Sequence, residues 1–239
     1  MKSNKLTVRL PLCFTLLFLG MTLIHSLPTQ AVMFQNGKDP APKTGRGGAS
    51  RGEDICFSDS KTTTSSVTPL MPATNVGLTV AERPTLLVYV PQTSAKEAFL
   101  SFEDEQRNHH YQTFISLPNQ PGVMAVQLPP EARALEVGKN YQWSLVMICG
   151  EYLEPDSPEV TGWVRRVEAN STLMNQKTLK ASLKKASLLA ESGIWVDTIA
   201  TLADLRRAEP KNSVYRSHWE ELLQSQGLTA IANQPLLNK

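Results

Sequence analysis

The chain has 239 residues, of which 41% are hydrophobic, with 24 basic and 22 acidic side chains and three cysteines. That length carries one or two domains with real cores. The near balance of charge offers no global field for nucleic acid, which excludes that class of partner.

Lys2, Lys5 and Arg9 form a short basic head, and the run from Leu10 to Leu27 is uncharged and almost wholly apolar. Thr29-Gln30-Ala31 then provides a small-residue exit. This order predicts a secretory signal peptide over residues 1–31, with the mature chain starting near Val32. The competing reading is an uncleaved anchor, because an 18-residue run lies at the lower edge of what spans a bilayer. Cleavage removes three basic residues and leaves 21 basic against 22 acidic side chains, with no transmembrane span. Cys13 leaves with the signal. Cys56 and Cys149 remain, and two cysteines in an oxidising compartment most simply form one disulfide. Closing a loop of about 94 residues stabilises by roughly 4 kcal/mol in the chain-entropy model.

Residues 32–68 read as a flexible leader. Gly45–Gly52 and Thr62–Ser66 are too poor in large apolar side chains to offset the entropy of ordering them. The Gly-rich stretch matches no phosphate-cradling spacing.

Residues 69–168 carry seven short β-type runs: Val76–Val80, Thr85–Val90, Glu97–Phe102, Tyr111–Leu117, Val123–Leu128, Tyr141–Ile148 and Val160–Val167. Period-two alternation is clear in Tyr141–Leu145 and Val123–Leu128. Seven such strands over about 100 residues predict an immunoglobulin- or fibronectin-like β-sandwich. Leu135, Gly138 and Tyr141 stand at the spacing that leads into a tyrosine corner, where the phenol bonds back to the preceding turn. In that topology Cys56, ahead of the first strand, and Cys149, after the sixth, meet at one pole.

From residue 171 to 239 the period turns helical, giving an α+β chain. The pattern predicts a first helix from Ser171 or Thr172 to about Glu191, a second over Ile194–Ala208 stopped by Pro210, and a third over Val214–Ser225 ended by Gly227. The Gly193, Pro210, Gly227 spacing, with Trp195, Leu202 and Leu205 between, is similar to tetratricopeptide units. One and a half units make no long groove, so the module is expected to dock on the sandwich.

Several segments together resemble a known family: Pro72–Thr85, Val88–Pro91, Leu135–Trp143, Cys149, Gly162–Val167, Ala190–Trp195 and Leu222–Leu228. They are similar to a cyanobacterial family of exported proteins known as domain of unknown function 928, over roughly residues 45–237. The resemblance implies a cyanobacterial exported protein and brings no activity or catalytic residues.

The search for chemistry assigns no catalytic residue, no cofactor and no metal. His109 and His110 fall at the tip of a hairpin, and neighbours on a strand point to opposite faces, so the pair suits a solvated turn better than one metal. No Gly-x-Ser-x-Gly elbow occurs. Glu103/Glu105 and Glu151/Glu154 are carboxylate pairs whose separation in space decides whether they suit glycan chemistry. Two surfaces are candidates for binding. Lys177, Lys180, Lys184 and Lys185 step along the first helix as a basic stripe, suited to an anionic polymer or lipid surface. Trp163 with Arg165 and Arg166 forms either an exposed aromatic–cationic patch or, the preferred reading, places Trp163 in the core beside Tyr141 and Trp143. Asn170-Ser171-Thr172 matches a glycosylation sequon but serves better as linker and cap.

The resulting expectation is an exported, non-enzymatic binding or protein-interaction module, periplasmic or extracellular, whose partner is an envelope protein or polysaccharide. The alternatives are an envelope enzyme acting on a glycan through surface carboxylates, and a passive structural component.

Overall fold

A computed structural model of the chain describes residues 32–35, 42, 56–57, 66–171, 173 and 180–238. The chain divides between Gln30 and Ala31 into two units, and every described residue belongs to the second. The expected signal peptide, and most of the expected leader, lie outside the described residues.

Among the described residues, eight strands and four fully bounded helices follow one another: β1 (Thr68–Pro69), β2 (Val76–Thr79), β3 (Thr85–Val90), β4 (Glu97–Asp104), β5 (His109–Ser116), β6 (Gly122–Gln127), β7 (Asn140–Ile148), β8 (Glu159–Arg166), α1 (Leu183–Glu191), α2 (Trp195–Ala208), α3 (Ser213–Ser225) and α4 (Thr229–Ala232). The seven runs read from the sequence each match a strand to within two residues at either end. The eighth, β1, is a two-residue piece paired antiparallel with β3. The strands form a sandwich of a three-stranded sheet, β1-β3-β6, and a five-stranded sheet, β2-β8-β7-β4-β5. All pairings are antiparallel except β2 with β8.

Alternation places the core. Along β7, Tyr141, Trp143, Leu145 and Met147 are fully buried while Gln142, Ser144 and Val146 face the other way. Tyr141 makes the corner its spacing predicts, its hydroxyl accepting the Glu136 backbone N–H at 3.2 Å. Opposite Trp143 in register stands Gly162, where an added Cβ would lie 2.7 Å from the indole nitrogen. The large ring therefore occupies the volume a side chain on β8 would need.

The helices form a third layer. Leu86 to Val90 of β3 are all buried, so both faces of that strand are covered. Helix α2 packs on β2 and β3. Close approach is permitted at Gly77, whose added Cβ would fall 2.6 Å from Val196 Cγ2. The docking expected of the helical module is thus what occurs. After α4 the chain returns to the sandwich: Val123 donates to the Pro235 carbonyl at 2.8 Å, and Leu237 donates back to Val123 at 2.9 Å. This return segment covers the exposed side of β6, where an open edge would invite pairing with another chain.

Two expectations need correction. The expected first helix is interrupted: Ser171 and Leu173 are helical, with Asn170 Oδ1 accepting the Leu173 N–H at 2.9 Å, but Lys180 to Ser182 are non-helical and α1 begins at Leu183, capped by Ser182 through the Lys185 N–H. Ser182 caps locally, so the helix starts where a serine side chain can satisfy its free N–H groups. The beginning of the leader is also not free chain. Val32 is buried in the main core and Phe34 packs edge-on to Trp195 at 4.9 Å between ring centroids. Composition over the whole of residues 32–68 hides this short apolar start.

Candidate functional site

Covering the three-stranded sheet with helices leaves the outer face of the five-stranded sheet as the polar side of the molecule. Register brings residues from three strands together there. Ser101 of β4 pairs with Ser144 of β7, and Ser144 pairs with Thr161 of β8. The Ser101 and Ser144 hydroxyls are 2.9 Å apart. Around them a recess of about 400 Å³ is lined by Phe99, Glu103, Arg107, His109, Gln142 and Glu159, among others, with Leu153 of the β7–β8 loop at its rim. Phe99 and Phe114, cross-strand neighbours, stack tilted at 5.2 Å, and Phe114 is 60% exposed. Tyr152 and Leu153 add exposed apolar surface from the loop. The Gln142 amide nitrogen is buried without a hydrogen-bond partner among the described residues.

One end of the recess is held by the β4–β5 turn, which Asp104 organises. Its carboxylate accepts the backbone N–H groups of Gln106 and Asn108, each at 2.9 Å, and the Asn108 side-chain amide at 3.0 Å. Lys139 Nζ lies 3.2 Å away. The Asn108 side-chain bond, ahead of the other donors, holds the Asp104 pKa down at about 2, against the opposing effect of burial. This bonding fixes a turn in which Arg107 takes φ +64°, so Arg107 and His109 are presented toward the recess from a defined backbone. His109 Nδ1 sits 3.3 Å from Glu103.

A second cavity, about 320 Å³, lies where the helices meet the sandwich, lined by Val80, Glu82, Arg83, Leu173, Lys185, Leu189 and Asp197. Asp197, in the first turn of α2, accepts the Val80 N–H at 3.2 Å. Desolvation raises its pKa, opposed by bonds from Thr79 and Val80 and by the charge of Lys185. Its bonds fasten α2 to the end of β2.

The expected site residues are dispersed. Lys177 lies outside the described residues. Lys180 is exposed ahead of α1, Lys184 is exposed on it, and Lys185 turns to the junction cavity, so the described lysines do not form one helical stripe. Trp163 is 3% exposed and makes no surface patch. It stands opposite Gln142 in register, which puts it on the outer side of the sheet, away from Tyr141 and Trp143. Arg165 and Arg166, being adjacent on β8, take opposite faces. Arg166 is committed to the Leu135 carbonyl at 2.9 Å and to Glu82 at 3.0 Å. Cys56 and Cys149 are bonded, and Thr93 Oγ1 and the Ser94 N–H both donate to the Cys56 carbonyl, pinning this part of the leader to the β3–β4 connection.

His109 and His110 take opposite sides of β5: His110 Nε2 pairs with the Arg133 carbonyl at 2.9 Å and its ring lies on Tyr141. No group of three or more His, Cys, Asp or Glu able to hold a metal occurs among the described residues. Glu103 lines the recess, whereas Glu105 accepts from Asn140, and Glu151 and Glu154 are exposed in the β7–β8 loop. The recess itself was missed by sequence reasoning because it needs the register of β4, β7 and β8. Only the outward alternation of Gln142, Ser144 and Val146 signals it.

Fold and site together define a two-sheet β-sandwich with a docked helical layer and one recessed sheet face. The chain belongs to the family described as Domain of Unknown Function (DUF928), whose model matches residues 46–236. No curated protein matches the chain. Among the described residues, no helix is long and apolar enough to cross a membrane.

Proposed function

We propose that this protein is an exported, non-enzymatic binding module of a cyanobacterial envelope, acting in the periplasm or outside the cell, and that the recess on its five-stranded sheet recognises a hydroxyl-rich segment of an envelope polysaccharide. The sandwich is of the immunoglobulin or fibronectin type. The two-sheet strand order, the parallel β2–β8 pair and the Tyr141 corner support that reading. The helical layer keeps its tetratricopeptide-like spacing, with Gly193 and Gly227 in left-handed backbone after α1 and α3, but serves as a cover rather than a groove.

The single observation that carries the ligand class is the composition of the recess. Its volume of about 400 Å³ is that of a small-ligand site. Paired hydroxyls and an amide offer both donors and acceptors, carboxylates are accompanied by Arg107 and His109, and phenyl rings stand at the margin. Sugars present alternating hydroxyls and C–H faces with little charge. An apolar peptide segment would strand the polar floor without partners.

The test is affinity capture from a native envelope fraction with the mature protein. Polysaccharide retained by the wild type and lost in a Phe114→Ala/Gln142→Ala variant of unchanged circular dichroism supports the proposal. Capture of a protein partner through the same face, or of nothing, overturns the ligand class.

Glu103 and Glu159 line the same recess, which favours a glycan-processing enzyme as the second reading. Release of reducing ends from the captured polysaccharide, abolished by Glu103→Gln or Glu159→Gln, would establish it.

A further inference from the structure

The Val32 backbone nitrogen donates to Nδ1 of His218 at 3.2 Å, and both residues are only 3% exposed. His218 lies on α3, so its ring presents an acceptor to a residue 186 positions earlier in the chain. Two residues on, Phe34 packs against Trp195, the first residue of α2. Gln35 then donates to the Ala190 carbonyl of α1 at 3.2 Å. A segment of four residues thus touches three helices in succession. Trp195 carries the chain of contacts into the sandwich through its bond to Leu70.

The position of this strap coincides with a boundary read from the sequence. The small-residue exit of the apolar leader, Thr29-Gln30-Ala31, ends immediately before Val32. Val32 is therefore at once a buried core residue and the first residue after the exit.

We infer that, once the leader is cleaved at the Ala31–Val32 bond as its sequence predicts, the new amino terminus stays docked against His218. This rests on the export reading. A signal peptidase of the exporting membrane hydrolyses the amide: one water is consumed, Ala31 leaves with a carboxylate, and Val32 gains an α-amino group. That amine retains the N–H donor already directed at Nδ1 and gains further N–H donors. Cleavage one residue later would remove the Val32 side chain from the core. Cleavage several residues earlier would leave polar Thr29-Gln30 tethered to a buried anchor.

The test uses the full 239-residue chain expressed in an exporting bacterial host and recovered from the extracytoplasmic fraction. Intact mass and amino-terminal sequencing identify the first residue. The rate of α-amine acylation by a small reagent is then compared for native and denatured protein, with lysine labelling as the internal reference. The inference predicts Val32 as the first residue, acylated about tenfold more slowly in the native state, with the protection lost in His218→Phe and Phe34→Ala. A mature chain beginning elsewhere overturns the processing site while leaving export intact. Val32 as first residue with an unprotected amine overturns the docking alone. A full-length product held in the membrane fraction overturns both the inference and the cleaved-export reading beneath it.

Discussion

The indole Nε1 of Trp195 donates to the carbonyl oxygen of Leu70 at 2.8 Å, in a fully buried position. This bond joins the first residue of α2 to the segment between β1 and β2, and so joins the helical layer to the sandwich. Trp195→Phe keeps most of the ring and deletes the donor, leaving the Leu70 oxygen buried without its partner. The expected loss is about 1–3 kcal/mol in denaturant unfolding, with a single cooperative transition retained.

Gly77 sets how closely α2 lies on β2. An added Cβ would meet Val196 Cγ2 at 2.6 Å and the Met71 methyl at 3.2 Å. Gly77→Ala should therefore cost about 1–3 kcal/mol by overpacking. Val196→Ala in the same chain should recover part of that cost, a coupling that a double-mutant cycle measures directly.

Asp104 supplies a pH dependence with a defined sign. Its folded pKa, about 2, lies below the ordinary aspartate value of 3.8, so the folded state favours the ionised carboxylate. The stability it contributes is complete above the unfolded pKa and falls away as the pH drops from about 4 toward about 2. The difference in unfolding free energy between wild type and Asp104→Asn should accordingly shrink across that window. Denaturant titrations at stepped pH read it, and a difference that stays constant would assign the carboxylate no ionic role.

The Cys56–Cys149 bond closes a loop with a sequence separation of 93 and holds the leader beside the β3–β4 connection. Replacing both cysteines by serine should lower stability by about 2–5 kcal/mol. Limited proteolysis should then cut sooner near Cys56 than within the sandwich.

Much of the sandwich was legible because alternation on strands such as β7 is a direct imprint of one buried and one open face. The Tyr141 corner and the cysteine pairing were legible for the same kind of reason, each being a local spacing or an arithmetic of few candidates. Strand β1 was not, since two residues that include Pro69 carry no period. The break at Lys180–Ser182 ahead of α1 was not legible, because Ser171, Thr172, Thr178 and Ser182 are all possible caps and only tertiary context selects Ser182 for α1. Trp163 shows a subtler limit. Its burial follows from its size, but its side of the sheet follows from pairing opposite Gln142, which depends on the register of β7 and β8. The recess is non-local in the same sense. Ser101, Ser144 and Thr161 meet only once three strands are in register, and polar residues at outward positions look alike in sequence whether or not they face a common cavity.

The central claim is that the open face of the five-stranded sheet is the recognition surface. Titrating isotopically labelled protein with solubilised envelope polysaccharide, followed by amide chemical-shift mapping, tests it most directly. The account predicts saturable shifts concentrated on Phe99, Ser101, Phe114, Gln142 and Ser144. Shifts confined to the helical layer or the junction cavity around Asp197, or no saturable change at all, would contradict it.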